Sequence, residues 1–160
     1  NDKQKRDVAV LLHNIRSTHN VGSIFRTSDA LGIEMIYISG YSPTPMDKYG
    51  RNRKDVAKVS LGAEKTIKWK YLSSPLKIIK EYKKAGYTIV GLEQSDKSID
   101  YKKFKSNKPI FFIVGSEVSG MEKKILYLCD EIVEIPMKGE KESLNVSVAF
   151  GVALYRIMNL

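Results

Sequence analysis

Phe111-Phe112-Ile113-Val114-Gly115-Ser116-Glu117-Val118-Ser119-Gly120 runs an apolar strand into a turn bounded by two glycines. Further along, Ile135-Pro136-Met137 precedes Ser143-Leu144-Asn145-Val146-Ser147-Val148, where a polar turn opens an apolar helix. Neither piece is a standard phosphate or dinucleotide loop. Gly-x-Gly-x-x-Gly is absent, and so is a P-loop Lys-Ser/Thr pair. Ligands of parallel α/β sheets sit beyond the carboxyl ends of strands, and Leu92, Gly115 and Ile135 are three such ends.

Working outward, strands alternate with helices. Val8–Leu12 is an apolar run that suits a buried strand. Asn20 has the character of a helix N-cap, followed by Val21, Ile24, Phe25, Ser28 and Leu31 on one face, with Gly32 as the stop. Arg26 falls off that stripe. Glu34–Ser39 reads as a strand, 40–55 as a long loop, Val56–Leu61 as a short helix and Lys65–Lys70 as a strand. Pro75 opens a helix through Ala85, which Gly86 ends. Strands follow at Thr88–Leu92, Lys108–Val114 and Glu131–Ile135, with helices at Glu122–Leu128 and from Val146 onward. The pattern predicts an α/β fold, a mostly parallel sheet flanked by helices, as a single domain over residues 1–160.

The chain of 160 residues is 42% apolar, which suits one globular core. Apolar runs such as Ile110–Val114 are too short to span a bilayer, and the charged start Asn1–Asp7 is not a signal peptide. The one cysteine, Cys129, excludes an internal disulfide and a cysteine-rich metal site, and is expected to pack as a small buried residue in the cytoplasm. His13 and His19 have no metal-ligand spacing, so no metal is expected.

A net charge of +9 points to a polyanionic partner. Lys48, Arg51, Arg53, Lys54, Lys58, Lys65, Lys68 and Lys70 face only Asp55 and Glu64, and Tyr41, Tyr49, Trp69 and Tyr71 lie in or beside them. Aromatics among cations suit nucleic-acid bases and phosphates together; the bland reading is a lysine-rich solvated face.

Three segments in order then carry a resemblance. His13-Asn14-Ile15-Arg16-Ser17-Thr18-His19-Asn20-Val21-Gly22-Ser23-Ile24-Phe25-Arg26-Thr27, the Phe111–Gly120 stretch, and Ile135–Met137 with Ser143–Ser147 resemble the three motifs of the SpoU (TrmH-like) family of RNA 2′-O-ribose methyltransferases. The resemblance implies a SPOUT fold with a C-terminal trefoil knot, against the general rarity of knots. It also implies a homodimer, S-adenosylmethionine as cofactor, and a tRNA or rRNA substrate, tRNA ahead of rRNA. By motif position, Leu92, Gly115, Ile135, Ser143 and Leu144 would bind the cofactor, with a bulky residue at Gly115 expected to fill the slot. Asn20, Arg26, Glu117, Ser143 and Asn145 would serve catalysis, and Arg16, Arg51, Arg53 and Lys54 would contact RNA.

Each residue also has a plain structural reading. Asn20 and Ser143 could be helix caps, Arg26 could pair with Asp29, and Glu117 could cap the following helix. From another class, the chain could be a non-catalytic RNA-binding module that kept the fold.

Overall fold

The computed structural model describes residues 7–160, so the charged start at Asn1–Arg6 lies outside the described residues. Among the described residues seven strands form one parallel sheet: β1 Val8–His13, β2 Met35–Ser39, β3 Trp69–Leu72, β4 Thr88–Leu92, β5 Ile99–Asp100, β6 Ile110–Val114 and β7 Glu131–Glu134. Their order is β3-β2-β1-β6-β4-β7-β5. The helices are α1 Thr18–Leu31, α2 Lys54–Ser60, α3 Ala63–Thr66, α4 Pro75–Lys84, α5 Lys123–Leu128 and α6 Val146–Ile157.

The central strands are apolar throughout because both faces of a parallel sheet are covered. Val8, Val10 and Leu12 of β1 and Ile110, Phe112 and Val114 of β6 point to one core, where Phe25, Val56, Phe150 and Leu154 meet them from the helices. Ala9, Leu11, Phe111 and Ile113 point to the other, with Ile79, Met121 and Ile125. The period of two along each strand thus divides one apolar run between two layers.

Several expectations shift. Ser17, not Asn20, is the N-cap of α1: its Oγ accepts the Asn20 backbone N–H at 3.1 Å. Asn20 is therefore inside the first turn, with its side chain free for other partners. Gly32 closes the helix in the left-handed region at φ 69°. The strand expected at Lys65–Lys70 is instead the short helix α3 followed by β3. Gly62 at φ 94° turns the chain into α3 after Leu61, so Lys65 lies on a helical turn while Lys70 falls in β3. The edge strand β5 and the 3₁₀ turn Tyr101–Lys103 had no sequence signal, since two strand residues are too few to show a period.

Candidate functional site

β6, β4 and β7 are neighbours, and their carboxyl ends open on one cleft of about 720 Å³. Leu92, Gly115, Ile135, Ser143 and Leu144 all line it, as do Asn20, Glu117 and Asn145. Residues far apart in sequence meet here because the strand order interleaves β4 between β6 and β7.

A chain of side-chain hydrogen bonds fixes one lip. Asn145 caps α6: its Oδ1 accepts from the Ser147 N–H at 2.9 Å, the Val148 N–H at 3.4 Å and the Ser147 hydroxyl at 2.6 Å. Its Nδ2 donates to Asn20 Oδ1 at 3.1 Å, and Asn20 Nδ2 donates to Glu117 Oε1 at 3.0 Å. Glu117 Oε2 accepts the Arg16 backbone N–H at 3.2 Å. Asn20 thus uses both ends of its amide, which an aspartate or leucine could not do. Glu117 is tied to α1 rather than capping α5, and Asn145 rather than Ser143 caps α6.

Arg26 is not in this cleft. It is exposed on α1, six positions beyond Asn20, which rotates it about 240° and moves it ~9 Å along the axis. Its neighbour Thr27 packs on α6, where a Cβ at Gly151 would lie 3.4 Å from Thr27 Cγ2. Arg26 directly precedes Thr27 on α1, and α6 exposes Val148, Val152 and Tyr155 at helical spacing, with Leu144 exposed just ahead of its cap. Among the described residues no salt bridge joins Arg26 to Asp29.

Gly115 lines the cleft as expected and has a second, structural role. A Cβ there would sit 3.1 Å from Met121 Cα, so glycine lets two backbone segments close on each other behind the cleft wall. Glu93, the residue after Leu92, completes that wall. Its Oε2 accepts the Met121 N–H at 2.7 Å and its Oε1 accepts the Gln94 N–H at 2.9 Å. Across the cleft, Gln94 Nε2 donates to the Glu142 carbonyl at 2.7 Å. Sequence reading missed Glu93 and Gln94, although the strand-end rule that singled out Leu92 extends to the next two positions.

The charge of the cleft opposes that of the chain. Among the described residues Glu93, Glu117, Glu134 and Glu142 line it against the one cation Lys123, on a protein of net charge +9. Such a site favours a ligand carrying positive charge. Among the described residues no group of His, Cys, Asp and Glu is arranged to hold a metal ion.

Two of the expected RNA contacts are already engaged. Arg51 Nε donates to Asp47 Oδ2 at 2.9 Å, and Arg53 grips Asp55 through two hydrogen bonds of 3.1 and 2.9 Å. The pair holds the Asp55 carboxyl below the usual carboxylate range, chiefly through the Arg53 hydrogen bond. Lys54 and the Arg16 side chain are exposed. Beside the cleft, His13 bridges strand and helix: its ring nitrogens lie 2.8 Å from Ser39 Oγ and 2.7 Å from Glu122 Oε1. Cys129 is half-buried rather than fully buried, and burial pushes its thiol up to about 12.

Among the described residues no helix is long and apolar enough to cross a membrane. The sequence profile of the SpoU rRNA Methylase family matches residues 7–155. A TrmH-family protein of Staphylococcus haemolyticus is 33% identical over 98% of this chain and 60% of its own length. The tRNA (guanosine(18)-2′-O)-methyltransferase of Aquifex aeolicus is 31% identical over 96% of this chain and 70% of its own. An AdoMet-bound rRNA methyltransferase from Sinorhizobium meliloti superposes with a TM-score of 0.85 at 25% identity, over 96% of this chain and 56% of the other. The TrmH/SpoU tRNA modifying enzyme of A. aeolicus gives 0.84 at 29% identity, over 98% of this chain and 76% of the other. The chain thus spans about three fifths of the length of several relatives it matches.

Proposed function

The chain belongs to the SpoU rRNA Methylase family, and from that premise we propose that it catalyses S-adenosylmethionine-dependent methylation of a ribose 2′-oxygen in structured RNA, tRNA ahead of rRNA. The observation that carries the reading is the acidic cleft at the carboxyl ends of β4, β6 and β7, closed on one lip by the Asn145–Asn20–Glu117 chain.

The residues present fit the cofactor. Leu92, Ile135 and Leu144 offer apolar walls, main-chain groups at the strand ends can read a ring edge, and the glutamates suit a sulfonium and an ammonium. When bound, S-adenosylmethionine supplies an electrophilic methyl group. The chain must then orient a ribose hydroxyl in line and draw off its proton as the methyl passes from sulfur to oxygen, leaving the neutral thioether S-adenosylhomocysteine. Asn20 is held immobile by its two hydrogen bonds and sets the lip against which the ribose would rest. Arg26 would grip the adjacent phosphate and stabilise charge growing on the oxygen; a guanidinium stays protonated and does not serve as the resting base.

In one protomer Arg26 stands away from the cleft, so a homodimer belongs to the same proposal. The exposed apolar residues Val148, Val152 and Tyr155 of α6, with Leu144 just ahead of it, offer a surface for a second copy that is continuous with the cleft at Leu144. Two-fold packing there would present each protomer's Arg26 to the other's cleft. The trefoil knot and a cytoplasmic setting follow from the family as parts of this reading.

The test is calorimetric titration with S-adenosylmethionine, then incubation with tRNA and rRNA transcripts and mass spectrometry of the digested nucleosides. Cofactor binding with a 2′-O-methylated nucleoside is the expected result. RNA binding without cofactor binding would favour the non-catalytic module instead.

A further inference from the structure

Tyr41 stands at the rim of the cleft with its ends fixed and its ring bare. Its backbone N–H donates to Asn14 Oδ1 at 3.1 Å, and its hydroxyl donates to Ser116 Oγ at 3.2 Å. Ser116 Oγ also accepts the N–H groups of Val118 and Ser119, inside the turn that lines the cleft. A tyrosine anchored at both ends usually has its ring packed as well, yet Tyr41 is 58% exposed. Tyr71 repeats the arrangement on the edge strand β3: its hydroxyl donates to the Gly40 carbonyl at 2.9 Å while the residue stays 47% exposed. Among the described residues no other ring packs on either one.

The backbone is shaped to hold this arrangement. Asn14 and Gly40 both lie in the left-handed region, at φ 59° and 67°. A Cβ on Gly40 would fall 1.8 Å from Asn14 Oδ1, the atom that holds Tyr41. Glycine is therefore required for the β2 exit to reach the β1 exit. Cations lie nearby along the chain: Lys68 and Lys70 are exposed on the β3 edge, Lys70 on the face opposite Tyr71, and Arg16 is exposed where its backbone N–H meets Glu117.

We propose that Tyr41, with Tyr71 beside it, is a stacking platform for an unpaired RNA base next to the methyl-transfer cleft. The substrate nucleotide or its neighbour would then lie in a loop, bulge or single strand. A continuous A-form helix already displays its 2′-hydroxyls in the wide minor groove, where no aromatic face is needed. A fixed, solvent-facing ring adds binding only when a base can leave its stack, and cations around it fit the phosphates on either side. The inference rests on the RNA methyltransferase reading above.

The experiment uses the full chain, a mixed-sequence single-stranded RNA 12-mer containing 2-aminopurine, and the same strand annealed to its complement. Fluorescence reports stacking, and titration with S-adenosylmethionine runs in parallel. Wild type should bind the single strand more tightly and quench its fluorescence. Tyr41→Ala should lose about tenfold in single-strand affinity along with the quenching, and leave duplex affinity unchanged. Tyr41→Phe should keep most of both, because it retains the ring and removes only the bond to Ser116. Tyr41→Ala binding like wild type, equal losses on both RNAs, or Tyr41→Phe as weak as Tyr41→Ala would each overturn the platform. Cofactor binding without any Tyr41 dependence on RNA would remove this inference alone; absence of both cofactor and RNA binding would remove the proposed function with it.

Discussion

Asn145 donates its Nδ2 hydrogen to Asn20 Oδ1 at 3.1 Å, tying the start of the last helix to the first turn of the first helix across 125 positions of sequence. Because Asn20 passes its own donor to Glu117, one amide orients both neighbours. Asn20→Ala should therefore unmake two hydrogen bonds, one to a carboxylate, at a combined cost of about 2–3 kcal/mol. The loss should be seen in single-turnover methylation more than in melting temperature, since the lip is part-buried. Asn20→Asp should be worse for activity, because it replaces the donor facing Glu117 with a second carboxylate. Activity of Asn20→Asp equal to wild type would remove the lip from the mechanism.

Arg26→Ala should lose roughly two to three orders of magnitude in methylation, about 3–4 kcal/mol, while binding cofactor normally. Its exposed place on α1, outside the cleft of its own subunit, makes a sharper outcome available. If the site is shared across a dimer as proposed, mixing Arg26→Ala with Asn20→Ala subunits should recover activity, because a hybrid would carry one site with both residues intact. No recovery after subunit exchange, with hybrids verified by mass, would put both residues in the same subunit's site.

The sequence made the alternation of strands and helices legible, because β1 and β6 are buried on both faces and α1 and α6 carry long apolar stripes. The five residues expected to hold the cofactor, read from strand ends and motif resemblance together, all line one cleft. Three things were not legible. Asn20 looks like a cap in isolation, and only the position of Ser17 and the arrival of Asn145 from the far end show it as a link. Arg51 and Arg53 look free in sequence, but the loop folds Asp47 and Asp55 onto them. The order β6-β4-β7 is non-local, so the wall made by Glu93 and Met121 has no sequence period to betray it.

The His13–Glu122 contact should give the fold an acid-sensitive component. The hydrogen bond from His13 is the largest cause holding the Glu122 carboxyl below its ordinary value of 4.5, and Lys124 adds to it at 3.3 Å. A depressed folded-state value contributes stability that is present above the unfolded value and is lost as pH falls through the folded one. Glu122 is 40% exposed at its side chain, so solvent screens the effect and the contribution is small. Glu122→Gln should be less stable than wild type at neutral pH, and the gap should narrow below about pH 4.5 in urea melts. A gap that is constant with pH would leave the contact without a charge component.

Ser28 has a fully buried hydroxyl with no hydrogen-bond partner among the described residues. Ser28→Ala removes that desolvated group and raises helix propensity in α1, so it should stabilise the protein by about 1 kcal/mol. An unchanged or lower denaturation midpoint would show that the hydroxyl is satisfied in solution.

RNA binding should weaken as salt rises, because cations that meet phosphates release counterions. The residues responsible should be those not already paired. Arg51 and Arg53 must leave Asp47 and Asp55 to reach a phosphate, whereas Lys54, Lys68 and Lys70 are exposed and form no salt bridge among the described residues. Replacing these three lysines with glutamine should lower the slope of log affinity against log salt by about 2–3, near one unit per lost contact. Replacing Arg51 and Arg53 should lower it by less than one unit each, and neither set should change S-adenosylmethionine affinity. If the arginine pair proved the more salt-sensitive set, the Asp47 and Asp55 contacts would have to open on binding, and the 40–55 loop would be refolding around the RNA.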